Sequence, residues 1–237
     1  IEFANDRVLA ALVARLAGAP QLCAVSGFPV KDIARKPRKS LIDRFSLKIS
    51  SQTPAPHAIN GSLYAARRGE LAKIWLPVPT PGEDGVLTAM IQTVCFTHPP
   101  RPEQIARMPE PTHYFEAHSI AGYFRHERRM TLGTAINGWI FEYLWAGGHR
   151  THVGSLIRNW NENDPQWIER IVASRAAGRR WVLPPRLLGW RLHNLKGVGL
   201  AKGIVRAPFS LAATLLNLWP CIEANRLLRQ RGAASYW

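Results

Sequence analysis

The chain has 237 residues, with 31 lysines and arginines against 16 aspartates and glutamates, and a formal net charge of +15. This length is enough for one ordinary hydrophobic core, or for one core with appendages. The three cysteines, Cys23, Cys95 and Cys221, lie far apart and lack C-x-x-C spacing. That spacing argues against a disulfide framework and a zinc site, and it fits a reducing compartment.

The positive charge is concentrated at the C-terminal end of the chain. Residues 170–237 contain 12 basic side chains and a single acidic one, Glu223, whereas residues 1–169 are nearly balanced. A surface with this excess of positive charge attracts anionic partners, either phospholipid or nucleic acid.

The first part of the chain alternates short apolar runs with helical patterns. Asn5 is a suitable cap for a helix that runs to Leu16. Residues 21–27 form a small apolar run between Pro and Gly, which predicts a buried strand. The basic stretch 31–39 predicts a solvated loop, and the apolar spacing of residues 40–48 predicts a helix.

The alternation continues as far as residue 145 and favours an α/β fold. The elements predicted in this part are a strand over 58–65, helices over 67–74 and 83–91, a buried strand over 93–97, a Pro-rich connection over 99–111, a strand over 113–117 and a helix over 119–145. A break of this last helix near Gly133 or Gly138 is the alternative to one continuous helix.

Two adjacent carboxylates, Glu83 and Asp84, come directly after a Pro-Gly turn at the predicted start of the helix over 83–91. Acidic residues at this position cap free N–H groups and complement the helix dipole, which is an adequate structural explanation by itself. A functional interpretation comes from the neighbouring segments, Asn60-Gly-Ser-Leu-Tyr-Ala-Ala-Arg-Arg68 upstream and His126-Glu-Arg-Arg-Met130 downstream.

Taken in this order, the three segments resemble the acceptor-side half of an inverting family 2 glycosyltransferase of the GT-A type. That family has a G-x-x-Y-A-x-R-R segment, then an E-D or D-D pair, then a Q-x-x-R-W motif. The residues that match are Gly61, Tyr64, Arg67, Arg68, Glu83, Asp84 and Arg129. His126 stands where the family has Gln, and Met130 stands where it has Trp.

The resemblance implies a role for each of these positions. Asp84 would be the general base that deprotonates the acceptor hydroxyl, and Glu83 would orient it or raise its pKa by like-charge repulsion. Arg128 and Arg129 would compensate the charge of the leaving nucleoside diphosphate, and His126 would contact the same phosphate or the acceptor. Gly61 and Tyr64 would allow close approach and stacking of a sugar. The structural alternative for the segment that begins at His126 is an exposed charged helix face, and for Gly61 and Tyr64 it is ordinary strand packing.

Family members also carry an Asp-x-Asp metal motif, which this chain does not contain. Ile1-Glu-Phe and the helix after it resemble the segment that family members have directly after that motif. We therefore expect residues 1–148 to be the acceptor-side part of the GT-A domain, with the nucleotide-binding half missing. The resemblance further implies that the intact enzyme uses a divalent metal, Mg or Mn, whose ligands are outside the chain. His149 and His152 have no nearby carboxylate or cysteine to complete a metal set.

Residues 149–237 are basic and rich in Trp and Leu, and we expect this region to be helical. A helix over 164–173 is expected, with Asp164 as its cap and Pro165 at its first position. The longest uncharged run of this region, Ala207–Ile222, has 16 residues and contains two prolines, whereas a membrane-spanning helix needs roughly 20 apolar residues. We expect short helices over 181–219 that lie on an anionic membrane surface; packing of these helices on the catalytic core with a basic outer face is an equal alternative.

The sequence thus predicts a glycosyltransferase that moves a sugar from a nucleotide-diphospho-sugar to a lipid-linked or polysaccharide hydroxyl. It would be peripheral at the cytoplasmic face of the cell membrane. The alternatives are a non-enzymatic membrane-surface protein and a nucleic-acid-binding protein. Nucleic acid is not an expected partner, because the basic residues are interspersed with Leu and Trp and no RNA- or DNA-binding module is recognisable.

Overall fold

A computed structural model describes residues 1–51, 56–147, 153–193 and 200–232. These residues form a mixed α/β structure that is mostly helical, with two small mixed sheets. The strands are β1 (Glu2–Phe3), β2 (Ala24–Ser26), β3 (Pro29–Lys31), β4 (Tyr64–Ala66), β5 (Ile105–Arg107) and β6 (His113–Phe115). The helices are α1 (Val8–Ala17), α2 (Leu41–Ser51), α3 (Arg68–Leu71), α4 (Glu83–Gln92), α5 (Ile120–Ala146), α6 (Val153–Asn163), α7 (Trp167–Ala176), α8 (Arg186–His193) and α9 (Leu200–Arg231).

The chain forms two compact units. The first comprises Ile1–Ala117 and Phe141–Pro165, and the second comprises His118–Ile140 and Gln166–Trp237. Helix α5 therefore contributes residues to both. The sequence analysis divides the chain at residue 148 on the basis of motifs and composition. That division into two regions stays a prediction.

The first unit contains both sheets, each of three strands. In one, β6 lies between β1, which is antiparallel to it, and β3, which is parallel to it. In the other, β2 lies between antiparallel β4 and parallel β5. Strand β2 is fully buried, with Ala24 and Val25 inside two adjoining apolar clusters, because α1 and α4 each contribute an apolar face to one cluster.

Among the predicted elements of the first unit, the helices over 5–16, 40–48, 67–74 and 83–91 and the strands over 21–27 and 113–117 are confirmed, mostly with shorter bounds. The strand predicted over 58–65 is confirmed only at its end, because β4 begins at Tyr64 and residues 58–63 form turns and irregular backbone. Asn5 does not occupy the cap position; its Oδ1 accepts a hydrogen bond from the Arg7 N–H, and the helix begins at Val8. The basic stretch after β3 is not loop throughout, since Asp32–Arg35 forms a 3₁₀ helix.

The predicted strand over 93–97 is wrong. Val94, Cys95 and Phe96 have φ angles of 49°, 53° and 59°, so these residues make a left-handed turn directly after α4. The Cys95 N–H donates to the Met90 carbonyl at 2.7 Å, which satisfies one of the free carbonyls at the helix end. The apolar run is buried because Phe96 packs against Phe141, with ring centroids 5.4 Å apart, and not because it pairs in a sheet.

The Pro-rich connection over 99–111 contains a 3₁₀ helix, Pro102–Gln104, and a strand that the sequence did not predict, β5. Three residues are too few for an alternating pattern to show. Helix α6 was also not predicted.

The described part of the second unit contains helices and no strand. The buried face predicted for α7 is confirmed, although the helix begins at Trp167 with Gln166 as its cap and not at Asp164. Helix α5 is continuous over the predicted range. The expectation of short helices holds for α8 and is wrong for α9, which has 32 residues and includes Pro208 and Pro220. Within the described residues, no helix has the length and apolar character needed to cross a membrane.

Candidate functional site

Helix α4 begins at the predicted carboxylate pair. Gly82 precedes it with φ 68° and ψ 65°, a left-handed conformation that glycine adopts without steric cost. Glu83 is exposed and Asp84 is half-buried. The helix is held in place by its apolar face, in which Val86, Leu87, Met90 and Ile91 are buried.

The segment over 59–62 lies against the start of α4. A Cβ atom on Gly61 would stand 3.4 Å from the Asp84 Cβ and 3.7 Å from its Oδ2. The Ile59 N–H donates to Thr88 Oγ1 of α4 at 2.9 Å, and the Asn60 N–H donates to Ser26 Oγ of β2 at 2.8 Å. These bonds bring together two segments that resemble separate motifs of the glycosyltransferase family, so Gly61 and Asp84 are neighbours.

A buried histidine supports this segment from the other side. His113 is fully buried, and its Nε2 shares a hydrogen bond of 2.7 Å with Ser62 Oγ. Its Nδ1 shares one of 2.9 Å with Thr112 Oγ1, and the Ser62 hydroxyl also interacts with Asn60 Oδ1. Burial lowers the pKa of His113 from its ordinary value of 6.5, so the neutral imidazole is favoured.

Sequence reasoning missed the role of His113. The residue lies in the strand predicted over 113–117, but nothing in the sequence indicated that it would contact Ser62, 51 residues away. The alternation of the strand offered the only signal, since a polar residue on the inward face of a strand requires a buried partner.

Two further residues of the first motif have distinct environments. Arg67 acts within the fold: its guanidinium donates to the carbonyls of Leu16, Ala19 and Leu22 at 2.8, 3.2 and 2.7 Å. It thereby joins the end of α1, at Leu16, to the segment between α1 and β2. Tyr64 pairs with Ser26 across β4 and β2 and is 37% exposed, so its ring is accessible for stacking.

The third predicted segment lies in α5, in the second unit. The rings of His126 and His118 are 4.8 Å apart. Arg128 donates to Glu223 of α9 at 2.6 Å, an ion pair with both side chains partly exposed. Arg129 is exposed. Arg128 thus forms an ion pair within the second unit. A site shared by Arg129 and Asp84 stays a prediction.

The described residues include no group of three or more His, Cys, Asp or Glu side chains arranged to hold a metal ion. His149 and His152 lie outside the described residues. The divalent metal that the resemblance implies stays a prediction.

Comparison with models of known protein families, with curated proteins and with solved structures found no match. The site is therefore interpreted from its own chemistry. It offers a half-buried carboxylate at a helix start, an open backbone position at Gly61 beside it, and hydroxyl and amide groups fixed by a buried histidine. A carboxylate in such a setting can accept a proton from a hydroxyl that approaches over Gly61.

Proposed function

We propose that the chain is the acceptor-side, base-bearing part of an inverting family 2 glycosyltransferase with a GT-A type domain. The observation that supports this most is the position of Gly61 beside Asp84, where a Cβ on Gly61 would touch the carboxylate side chain. Gly61 leaves the carboxylate uncovered on the side where a larger side chain would stand, and the bonds of Ile59 and Asn60 fix that arrangement. This is what an acceptor hydroxyl needs in order to reach a base.

In the proposed reaction the acceptor hydroxyl attacks C1 of the donor sugar while its proton passes to Asp84. The bond between C1 and the diphosphate oxygen breaks, its electron pair leaves with the nucleoside diphosphate, and the configuration at C1 inverts. Asp84 suits the role of base better than Glu83, because it is half-buried beside Gly61 whereas Glu83 is exposed. The two carboxylates lie on different sides of the helix, since consecutive residues are about 100° apart.

Charge compensation for the leaving group falls to basic side chains and to the divalent metal, Mg or Mn, which when bound would neutralise diphosphate oxygens. In this chain Arg129 is the proposed phosphate contact, with His126 beside it on α5. Arg128 is a weaker choice, because its ion pair with Glu223 already compensates its charge. Tyr64 is the proposed stacking surface for a sugar ring.

The expected acceptor is a lipid-linked or polysaccharide hydroxyl, and the proposed location is the cytoplasmic face of the cell membrane. The basic excess of residues 170–237 supports a peripheral position against anionic lipid.

The test is Asp84→Asn, which keeps the size of the side chain and removes the proton acceptor. Transfer should fall by roughly 10²- to 10⁴-fold, the usual worth of a positioned base, while donor binding stays nearly unchanged. Transfer is measured with the protein encoded by the complete gene, because the expected Asp-x-Asp motif is not in this chain.

Glu103→Gln is the matched control, since Glu103 is an exposed carboxylate in the first turn of a 3₁₀ helix of the same unit. Arg129→Ala should weaken binding of the nucleoside diphosphate and leave the proton transfer intact. Near-normal transfer by Asp84→Asn would refute the role of Asp84 as base. Absence of any transfer by the intact protein would favour the non-enzymatic alternative.

A further inference from the structure

Helix α9 exposes an apolar stripe, unlike an ordinary surface helix. A surface helix turns its apolar stripe to the core and its polar face to water. In α9 an apolar stripe faces outward instead, and Trp219 and Leu215 are 63% and 59% exposed. The residues of this outer stripe are Leu211, Leu215, Leu218, Trp219 and Ile222.

The stripe is continuous along the helix. At 3.6 residues per turn its five side chains fall within an arc of about 100° and extend over about 16 Å of helix. The same arc continues into Arg226 and Arg229, which are also exposed. An apolar stripe that ends in arginines is typical of helices that lie in a membrane interface.

The opposite side of α9 is buried and carries polar residues among apolar ones such as Ala213, Cys221 and Leu228. The Asn225 Oδ1 accepts the Val182 N–H at 2.6 Å, and its Nδ2 donates to the Arg180 carbonyl at 3.1 Å. These bonds satisfy backbone groups that would otherwise be buried without partners, so they fix the rotation of the helix about its axis. The other buried polar residues on this side are Ser210, Thr214 and Asn217. The apolar stripe therefore cannot turn inward without breaking bonds in the interior.

Charge distinguishes between the surfaces that could cover the stripe. Residues 170–237 carry 12 basic side chains and only Glu223 as an acidic one, and Glu223 is paired with Arg128. A second copy would bring an equally basic surface against this one, and like charges at an interface oppose association. An anionic bilayer offers both an apolar interior and negative headgroups.

We propose that the outer stripe of α9 inserts into the interface of an anionic lipid bilayer, with Arg226 and Arg229 at the headgroups. Trp219 has the largest exposed fraction of the five and anchors the helix at the boundary between headgroups and acyl chains. The inference names the surface that holds the enzyme in the peripheral position proposed above. It replaces the short membrane-surface helices predicted over 181–219 by one outer stripe of the long helix α9.

Binding to vesicles tests the proposal. Because this assay measures no sugar transfer, a failure of the membrane proposal can be distinguished from a failure of the proposed function. Wild-type protein should co-sediment with vesicles of phosphatidylglycerol and phosphatidylcholine in equal parts, less so with phosphatidylcholine alone, and less at high salt. The double variant Leu215→Glu/Trp219→Glu should reduce the partition coefficient by about tenfold or more, because two apolar anchors are lost and negative charge is added.

The matched control is Leu41→Glu/Ile42→Glu, which changes two exposed apolar residues of α2 in the other unit and should leave partitioning unchanged. A second measurement does not depend on how the charged variant folds. Brominated lipid should quench wild-type tryptophan fluorescence more than that of Trp219→Phe, which removes one of nine tryptophans.

Equal partitioning of wild type and the α9 double variant would overturn the proposal, as would identical quenching of wild type and Trp219→Phe. Light scattering provides a further test: a wild-type dimer that the α9 variant converts to monomer would show that a second copy covers the stripe. Binding to oligonucleotides in preference to anionic vesicles would also overturn it.

Discussion

Replacing Gly154 by alanine should destabilise the first unit, although alanine is the better helix former. Gly154 is buried in the first turn of α6, and a Cβ there would lie 2.2 Å from the Lys73 carbonyl oxygen. A close carbon-to-oxygen contact is about 3.3 Å. The helix or the Lys73 backbone would therefore have to shift by about 1 Å to admit one methyl group.

The magnitude is the difference between two opposing terms. Overpacking against rigid groups costs about 1–3 kcal/mol, and the obstacle here is backbone. Helix α6 cannot withdraw freely, because Val153 and Ile157 on the same side are fully buried. Glycine in a helix costs about 0.5–1 kcal/mol relative to alanine, which offsets part of the clash. The net expectation is a loss of about 1–2 kcal/mol.

Urea unfolding monitored by tryptophan fluorescence measures this difference, with the slope of the transition expected to be unchanged. The melting temperature should fall by about 2–4 °C for each kcal/mol in a chain of this size. Gly69→Ala is the control, because no atom lies within 4 Å of its Cβ position in α3. It should be neutral or slightly stabilising. If Gly154→Ala proves as stable as wild type, the close approach of α6 to Lys73 is refuted.

Arg67→Met keeps the alkyl stem but removes the three hydrogen bonds that join the end of α1 to the segment before β2. It should destabilise the protein by about 2–3 kcal/mol, as expected for partly buried acceptors that lose a charged donor. A loss below about 0.5 kcal/mol in urea unfolding, the range of an ordinary surface substitution, would contradict this role of Arg67. Because burial lowers the pKa of His113, the unfolded chain takes up a proton on this residue before the folded protein does. The contribution of His113 to stability should be complete above pH 6.5, the ordinary histidine pKa, and should be lost as the pH falls below it. Urea midpoints at pH 7.5 and 5.5 should therefore differ less in His113→Gln than in wild type, and equal differences in both proteins would refute the prediction.

The sequence by itself determined the features that depend on local patterns. The Pro-Gly turn and the helix that starts at Glu83 are confirmed because a left-handed glycine, a pair of first-turn carboxylates and an apolar run together define a helix start. The mixed α/β class is confirmed for the same reason, since each element needs only its own periodicity and punctuation.

Tertiary structure alone decided which of these segments meet. The contact of Gly61 with Asp84 and the support of Ser62 by His113 join residues far apart in the chain, and no local pattern encodes such pairings. The turn at Val94–Phe96 adopts a left-handed conformation against the preference of its residues, because hydrogen bonds to the end of α4 and packing of Phe96 outweigh that preference. Helix α9 shows the same dependence. Its composition indicated affinity for an anionic surface, but the bonds of Asn225 in the interior decided that Leu211, Leu215 and Trp219 face outward while Leu228 is buried.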